Sequence, residues 1–283
     1  MSRYSKKRKR KSLQGVLAIG IAIVVIAAIS TAIVRLETQL QQVTEPTEPE
    51  TEATQPTLTP NPYSPTDFVY DERGYLTCTS GETMIGIDVS DHQHEIDWNA
   101  VAQSGVEFVM VRIGYRGYTQ GEMFSDQNAH INLQGAKDAG LKIGAYFFSQ
   151  AITPEEAIQE AEFCVAFLHN YSLDLPVVYD WEPIETENAR TAGMDPAVLV
   201  QCARSFCQTV EEAGLDPMIY FNLQLANNYY DLLLLDDYPF WLALYSDTLD
   251  YENHVEMWQY TDSGYIPGIS TSVDMNLLFT EEP

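Results

Sequence analysis

The chain has 283 residues, of which 45% are hydrophobic and 11% aromatic, so it can bury a sizeable core. It carries 15 Lys and Arg against 41 Asp and Glu, and seven of the basic residues lie between Arg3 and Lys11. The rest of the chain keeps eight basic residues against all the acidic ones, a formal charge of −33. Nucleic acid binding depends on clustered Lys and Arg, so no nucleic acid partner is expected.

The amino-terminal segment predicts a membrane anchor. Residues 1–12 are basic, and residues 13–34 form an almost unbroken run of Leu, Ile, Val and Ala. A membrane-spanning helix needs about 20 apolar residues, whereas the apolar part of a signal peptide has about 7 to 15. We therefore expect an uncleaved single-pass helix in the cell membrane, with the basic residues in the cytoplasm and the rest outside. A cleaved signal peptide is the alternative, and it leaves the compartment unchanged.

Residues 35–66 predict an extracellular stalk. From Thr44 to Thr66 the chain is rich in Pro, Thr and Glu and has almost nothing apolar to bury, so it should stay extended and disordered. In polyproline II form this part would reach roughly 70 Å, at about 3.1 Å per residue. Residues 67–83, with turn signals from Asp71 to Gly74, predict a hairpin strap that leads into the main domain.

Residues 84–283 alternate short apolar runs with helical patterns, which predicts an α/β fold. Helices are predicted at Trp98–Ser104, Asp126–Ala139, Pro154–Leu168 and Pro196–Ala213, and later connections are short or irregular. We therefore expect a β/α (TIM-like) barrel with reduced helices in its second half. Eight strands are predicted: Ile85–Val89, Phe108–Tyr115, Leu141–Phe148, Pro176–Trp181, Met218–Phe221, Phe240–Leu244, Val255–Tyr260 and Val273–Leu277.

Acidic residues mark the strand ends of this predicted barrel. Asp88 ends the first strand, Asp180 and Glu182 end the fourth, and Asp274 lies in the last. Residues two apart on a strand face the same side, at a spacing of about 6.8 Å, so Asp180 and Glu182 should share the barrel mouth. Crowding should raise the pKa of Glu182 and make it a proton donor, while Asp180 stays ionised. The alternative is a set of solvated surface acids.

Aromatic residues crowd the same strand ends, where sugar rings can stack on their faces. Barrel packing is the alternative for each of them. We assign substrate binding to Tyr115, Tyr146, Phe148, Trp241, Tyr245, Trp258 and the neighbouring Gln259.

Metal and thiol chemistry have weaker signals. His92 and His94 beside Asp88 could be metal ligands, but no third histidine has a suitable spacing, so we predict no metal and no cofactor. The four cysteines are far apart or poorly spaced for bonding, and we expect buried thiols, with a disulfide through Cys164 as the alternative. The sequence also lacks a serine nucleophile elbow and a phosphate-binding glycine loop.

From Gly86 to about Leu278 the sequence resembles glycoside hydrolase family 25, the Chalaropsis-type lysozymes. GIDVSDHQHEIDW is similar to the opening strand and loop of that family, and VVYDWEP to its acidic strand. FVMVRIGYRG, GAYFFSQA, PFWLALYS and MWQYTDSGYIPGISTSVDMN follow in the expected order. The anchor, the stalk and the strap lie outside the resemblance.

The resemblance implies a muramidase without cofactors that cuts the β-1,4 bond between N-acetylmuramic acid and N-acetylglucosamine in the glycan strands of peptidoglycan. It assigns Glu182 as general acid, Asp180 as partner carboxylate, and Asp88 and Asp274 as outer acids, with Tyr146 near the reacting sugar. Assistance by the substrate acetamido group is compatible with the spacing of Asp180 and Glu182. A barrel that binds peptidoglycan without cutting it is one alternative. A glycosidase for chitin-like polymers is another, but it would have a longer acidic motif than LPVVYDWE.

Overall fold

A computed structural model describes residues 57–281, together with Ser30 and Arg35. The predicted cytoplasmic segment, nearly all of the predicted anchor at 13–34 and most of the predicted stalk lie outside these residues. No helix within the described part of the chain is long and apolar enough to cross a membrane.

Within residues 57–281, eight strands close a barrel. In chain order the structure forms β1 (Phe68–Tyr70), β2 (Leu76–Cys78), β3 (Glu82–Val89), β4 (Phe108–Arg116), β5 (Met123–Ser125), β6 (Lys142–Ser149), β7 (Val177–Trp181), β8 (Pro217–Asn222), β9 (Phe240–Ala243), β10 (Met257–Gly264) and β11 (Val273–Glu281). The barrel runs β3-β4-β6-β7-β8-β9-β10-β11 and closes where β11 pairs with β3. The predicted barrel is therefore confirmed.

The last barrel strand runs against the others. β11 is antiparallel to both β10 and β3, whereas the other pairings around the barrel are parallel. The amino end of β11 therefore lies at the same mouth as the carboxyl ends of the other strands. This reversal brings Asp274, the second residue of β11, directly opposite Asp88 of β3.

Helices cover the first half of the barrel more fully than the second. They are α1 (Trp98–Gln103), α2 (Ala129–Asp138), α3 (Pro154–Leu168), α4 (Pro196–Glu212) and α5 (Leu223–Asn228). Both α3 and α4 begin at a proline. The side chain of Thr153 accepts a hydrogen bond from a free backbone N–H group at the start of α3, and that of Asp195 does so for α4. After β8 the described chain has one six-residue helix, α5, and a 3-10 turn at Leu232–Leu234. This agrees with the prediction that helices are reduced in the second half of the barrel.

In the barrel interior, large side chains lie beside glycines of the neighbouring strands. Gly86 leaves room for the ring of Phe108, and Gly144 leaves room for Met110. Any side chain at either glycine would collide with its neighbour, so these strands depend on glycine for close packing. The interior cluster consists of Phe108, Met110, Val178, Met218, Tyr220, Trp241, Ala243 and Met257.

The end of the predicted stalk is packed against the barrel, which corrects the boundary at residue 66. Asn61 donates to the carbonyl oxygen of Tyr251 at 2.8 Å, Pro60 bridges to Asn253, and Tyr63 is buried against Phe279. These residues stand in a Pro/Thr-rich segment, and their contacts lie far away along the chain, so composition alone predicted a disordered stalk there. The strap forms the β1–β2 hairpin, whose turn closes as Gly74 donates to the carbonyl oxygen of Asp71.

The four cysteines are free thiols. Cys164 is buried in α3, Cys202 and Cys207 are buried in α4, and Cys78 is partly buried. Burial raises the pKa of Cys164 well above its ordinary value, so this thiol stays protonated. The expectation of buried thiols is confirmed for three of the four, and the structure forms no disulfide through Cys164.

Candidate active site

The four acids predicted at the strand ends meet in one cleft at the barrel mouth. The cleft has a volume of about 450 Å³, and Asp88, Asp180, Glu182 and Asp274 all line it. Asp180 belongs to β7 and Glu182 follows its last residue, so both face the cleft. Trp181 between them faces the other way, and its Nε1 donates to the carbonyl oxygen of Ala151 at 3.0 Å. The alternation of strand side chains thus brings the predicted pair together.

Two amide side chains hold Asp88. The amide nitrogens of Gln259 and Asn276 each donate to Oδ2 of Asp88 at 2.9 Å. Nε2 of Gln259 also lies 3.5 Å from Oδ2 of Asp274. Asp88 is only 6% exposed, and these two amide donors reach the same oxygen of its carboxyl group. The arrangement lets a buried carboxyl carry a negative charge.

A single arginine faces the acids from β4. Arg112 lines the cleft, and its guanidinium group donates to Asp126 at 2.9 Å and to Asp91 at 2.6 Å. Both of these carboxylates lie behind the cleft, and the side chain of Asp126 is completely buried. Arg112 is therefore fixed in position, and its charge opposes the rise in the pKa of Asp180.

Burial raises the pKa of every acid in the cluster. The pKa of Glu182 rises to about 7 through burial and the nearby charge of Asp88, and that of Asp274 rises to about 8 for the same two reasons. The raised pKa of Glu182 agrees with the sequence prediction. Asp180 departs from it, because burial and the charges of Glu182 and Asp88 raise its pKa well above the ordinary value too. Its Oδ1 is enclosed and accepts no hydrogen bond within the described residues.

Most of the predicted substrate-binding residues line the cleft. Tyr146, Phe148, Trp241, Tyr245 and Gln259 do so, and Tyr245 is 55% exposed at the rim. The structure does not place Tyr115 and Trp258 there, which corrects both assignments. Tyr115 stacks on Phe124 of β5 at 5.3 Å between ring centroids. Trp258 is fully buried behind the barrel wall, where its Nε1 donates to the carbonyl oxygen of Leu244 at 2.7 Å.

Several residues that form or support the cleft were not predicted from the sequence. Arg112 and Tyr220 stand on the interior face of their strands, and strand alternation from Met110 and Met218 could have identified them. Asn222, Leu223 and Gln224 lie at the junction of β8 and α5, a short helix that carried no sequence signal. Asn276 follows Asp274 by two residues and shares its face.

The described residues contain no cluster of His, Cys, Asp and Glu suited to a metal ion. His92 and His94, considered above as ligands, lie exposed in the loop after β3. His94 adopts a positive φ of 57°, and the carboxylate near His92 is Asp91, which binds Arg112. Among the acids of the cleft, Asp88 accepts hydrogen bonds from the amide groups of Gln259 and Asn276.

The comparisons with known proteins agree with this geometry. The model of the glycosyl hydrolases family 25 matches residues 87–269. A curated relative, the autolytic lysozyme of Clostridium acetobutylicum, is 33% identical over 196 residues, which cover 68% of this chain and 55% of the relative. The chain thus matches about half the length of that relative.

Solved structures share the fold. The autolysin LytC of Streptococcus pneumoniae, solved in complex with a synthetic peptidoglycan ligand, has a TM-score of 0.64 and 25% identity, covering 74% of this chain and 51% of LytC. A family 25 glycosyl hydrolase from Bacillus anthracis has a TM-score of 0.60 at 19% identity, covering 78% of this chain and 96% of that one. The family model covers most of the barrel, including three of the acids in the cleft. The chain belongs to the glycosyl hydrolases of family 25.

Proposed function

We propose that this protein is a muramidase that hydrolyses the β-1,4 bond between N-acetylmuramic acid and N-acetylglucosamine in peptidoglycan. The observation that carries the proposal is the convergence of four carboxyl groups, with Asp180 and Glu182 at the end of β7, in one open cleft. The lysozyme name of the Clostridium relative and the peptidoglycan ligand of LytC support the choice of substrate.

Glu182 is the proton donor in this proposal. A general acid is most effective when its pKa lies near the working pH, and burial beside Asp88 raises the pKa of Glu182 to about 7. The acid therefore keeps its proton at slightly acid to neutral pH and can pass it to the leaving glycosidic oxygen. Departure of this oxygen leaves positive charge on the sugar ring, which the neighbouring carboxylates stabilise.

Asp180 is the partner carboxyl group. Because the described residues give its Oδ1 no hydrogen bond, the group lacks the donors that would favour its charged form. The acetamido N–H of a bound sugar would supply such a donor at the cleft-facing edge of Asp180. Substrate binding would then lower the pKa of Asp180 and let it orient and polarise the acetamido group for attack on the anomeric carbon.

The rest of the cleft fits a carbohydrate chain. Tyr146 and Trp241 meet edge to face with ring centroids 6.2 Å apart, and Tyr245 stands partly exposed at the rim. Aromatic faces with nearby polar groups suit sugar rings, which have apolar faces and hydroxyl edges. An open cleft also lets a long polymer enter sideways.

The test is the clearing of purified peptidoglycan by the full chain, with Glu182→Gln and Glu185→Gln compared side by side. Glu185 is an exposed acid three residues away, so its substitution makes the same chemical change outside the cleft. We expect Glu182→Gln to lose at least 100-fold in rate, the lower end of the contribution of a general acid, and Glu185→Gln to match the wild type. Equal rates for the two variants would refute the role of Glu182, and a folded wild type that binds without clearing would identify a binding module.

We also propose that residues 13–34 hold the enzyme in the cell membrane with its barrel outside. The apolar run, the basic residues before it and the exported substrate support this placement. A tethered enzyme acts on the wall of its own cell, which fits wall remodelling or turnover. Protease treatment of intact protoplasts should digest the barrel, and the remaining fragment should sediment with membranes. A barrel that stays soluble after cell disruption would contradict the anchor.

A further inference from the structure

Asp88 and Asp274 form a second carboxyl pair, separate from Asp180 and Glu182. They lie directly opposite each other on the antiparallel strands β3 and β11. The amide nitrogen of Gln259 lies within 3.5 Å of an oxygen of each, so the two carboxyl groups meet at one point of the cleft. Two like charges directly across a strand pair repel each other, the more so in a buried place. A proton between them removes this repulsion, since a protonated carboxyl can donate to a charged one.

The surrounding amides distinguish the two members of the pair. Asp88 accepts two amide hydrogen bonds at 2.9 Å, whereas Asp274 has a single long contact of 3.5 Å with Gln259. Hydrogen bonds donated to a carboxyl favour its charged form. Asp88 is also the more deeply buried of the two, so its charge depends on these donors.

Further contacts fix which way each amide points. Oε1 of Gln259 accepts from the hydroxyl groups of Tyr245 at 3.2 Å and Tyr220 at 3.5 Å. Oδ1 of Asn276 accepts from Nε1 of Trp241 at 2.9 Å. Indole N–H can only donate, so the oxygen of Asn276 must face Trp241 and its NH₂ group must face Asp88.

We propose that Asp88 and Asp274 share one proton, an inference that rests on the proposed function. Gln259 and Asn276 are positioning residues, which keep the negative charge on Asp88 and the proton on Asp274. The pair then supplies one fixed negative charge beside Glu182. That charge keeps the catalytic acid protonated.

Charged and titratable groups from several strands surround the pair. Arg112 supplies the only positive charge among the described residues that line the cleft. The other titratable groups that face the pair are Tyr146, Asp180, Glu182, Tyr220, Tyr245 and, towards Asp274, Asp262. The tyrosines remain neutral because burial raises the pKa of each, so a proton on Asp274 is the simplest way to reduce the repulsion in the pair.

The direct test is infrared spectroscopy of the purified full chain at about pH 6, well above the ordinary pKa of Asp. Asp274→Asn should lose the C=O stretching intensity of one protonated carboxyl group. Asp250→Asn, which changes an exposed Asp outside the cleft, should lose none. An unchanged band in Asp274→Asn would place the proton elsewhere and overturn the proposal.

The second test is the pH profile of peptidoglycan clearing by Gln259→Met, with Gln201→Met on the exposed face of α4 as control. Loss of a hydrogen bond to the charged form of Asp88 should move the acidic limb upward by about one pH unit. A uniform loss of rate without this shift would reduce Gln259 to a structural residue and overturn its role. If the wild type clears no peptidoglycan, the proposed function fails, while the infrared result still decides whether the pair shares a proton.

Discussion

Replacement of Glu182 by Gln should stabilise the protein at alkaline pH while it removes activity. The pKa of Glu182 is about 7 in the folded protein and about 4.5 in the unfolded chain. The folded state therefore binds the proton more tightly, so the contribution of Glu182 to stability is complete below pH 4.5 and is lost as the pH rises through 7. At 1.36 kcal/mol per pH unit, the loss above this window is on the order of 3 kcal/mol.

Urea unfolding followed by tryptophan fluorescence measures this effect, since all four tryptophans belong to the barrel domain. Wild type and Glu182→Gln should have similar free energies of unfolding near pH 4, and the variant should be more stable at about pH 8 by on the order of 3 kcal/mol. The exposed control Glu185→Gln should follow the wild type throughout. Parallel curves for wild type and Glu182→Gln would show that Glu182 has an ordinary pKa and holds no proton at neutral pH.

Three further predictions concern the barrel and its chemistry. Arg116→Met removes the ion-pair partner of the buried Glu160, 2.6 Å away, and should destabilise the fold by about 3 kcal/mol at pH 8. The loss should be smaller at pH 5, because Glu160 has a pKa of about 7 and is then protonated. Urea unfolding at both pH values measures the two losses, and equal losses would contradict the prediction. Gly86→Ala puts a methyl group against the ring of Phe108 and should cost about 1–3 kcal/mol in thermal unfolding, whereas Gly117→Ala, with its nearest contact at 3.5 Å, should cost under 1 kcal/mol. EDTA should leave peptidoglycan clearing unchanged, and loss of activity that added metal restores would contradict the cofactor-free mechanism.

The barrel was predictable because its strands are short apolar runs, and the helices between them begin at residues that mark a helix amino terminus. Pro154 and Pro196 mark the beginnings of the two longest helices between residues 57 and 281, and both helices form as predicted. The short elements β5 and α5 were missed, since three to six residues carry too little periodicity to be recognised. The packed residues before the hairpin were also missed, because their partners lie almost 200 residues away along the chain.

The acids of the site were predictable, whereas their surroundings were only partly so. Alternation along β10 would have separated Gln259, which faces the cleft, from Trp258, which faces outward. Tyr115 follows an irregularity in the register of β4 with β6, and such a shift cannot be read from residue types. The high pKa of Asp180 arises from several strands that enclose one carboxyl group, which is a property of tertiary structure.

Which bond of the glycan strand is cut can be read from the identity of the new sugar ends. Peptidoglycan digested by the full chain is reduced with borohydride and hydrolysed, and the reduced sugars are identified by mass spectrometry. We expect muramitol from new N-acetylmuramic acid ends with the wild type and none with Glu182→Gln. New ends of reduced glucosamine, or no new ends from a folded wild-type protein, would contradict it.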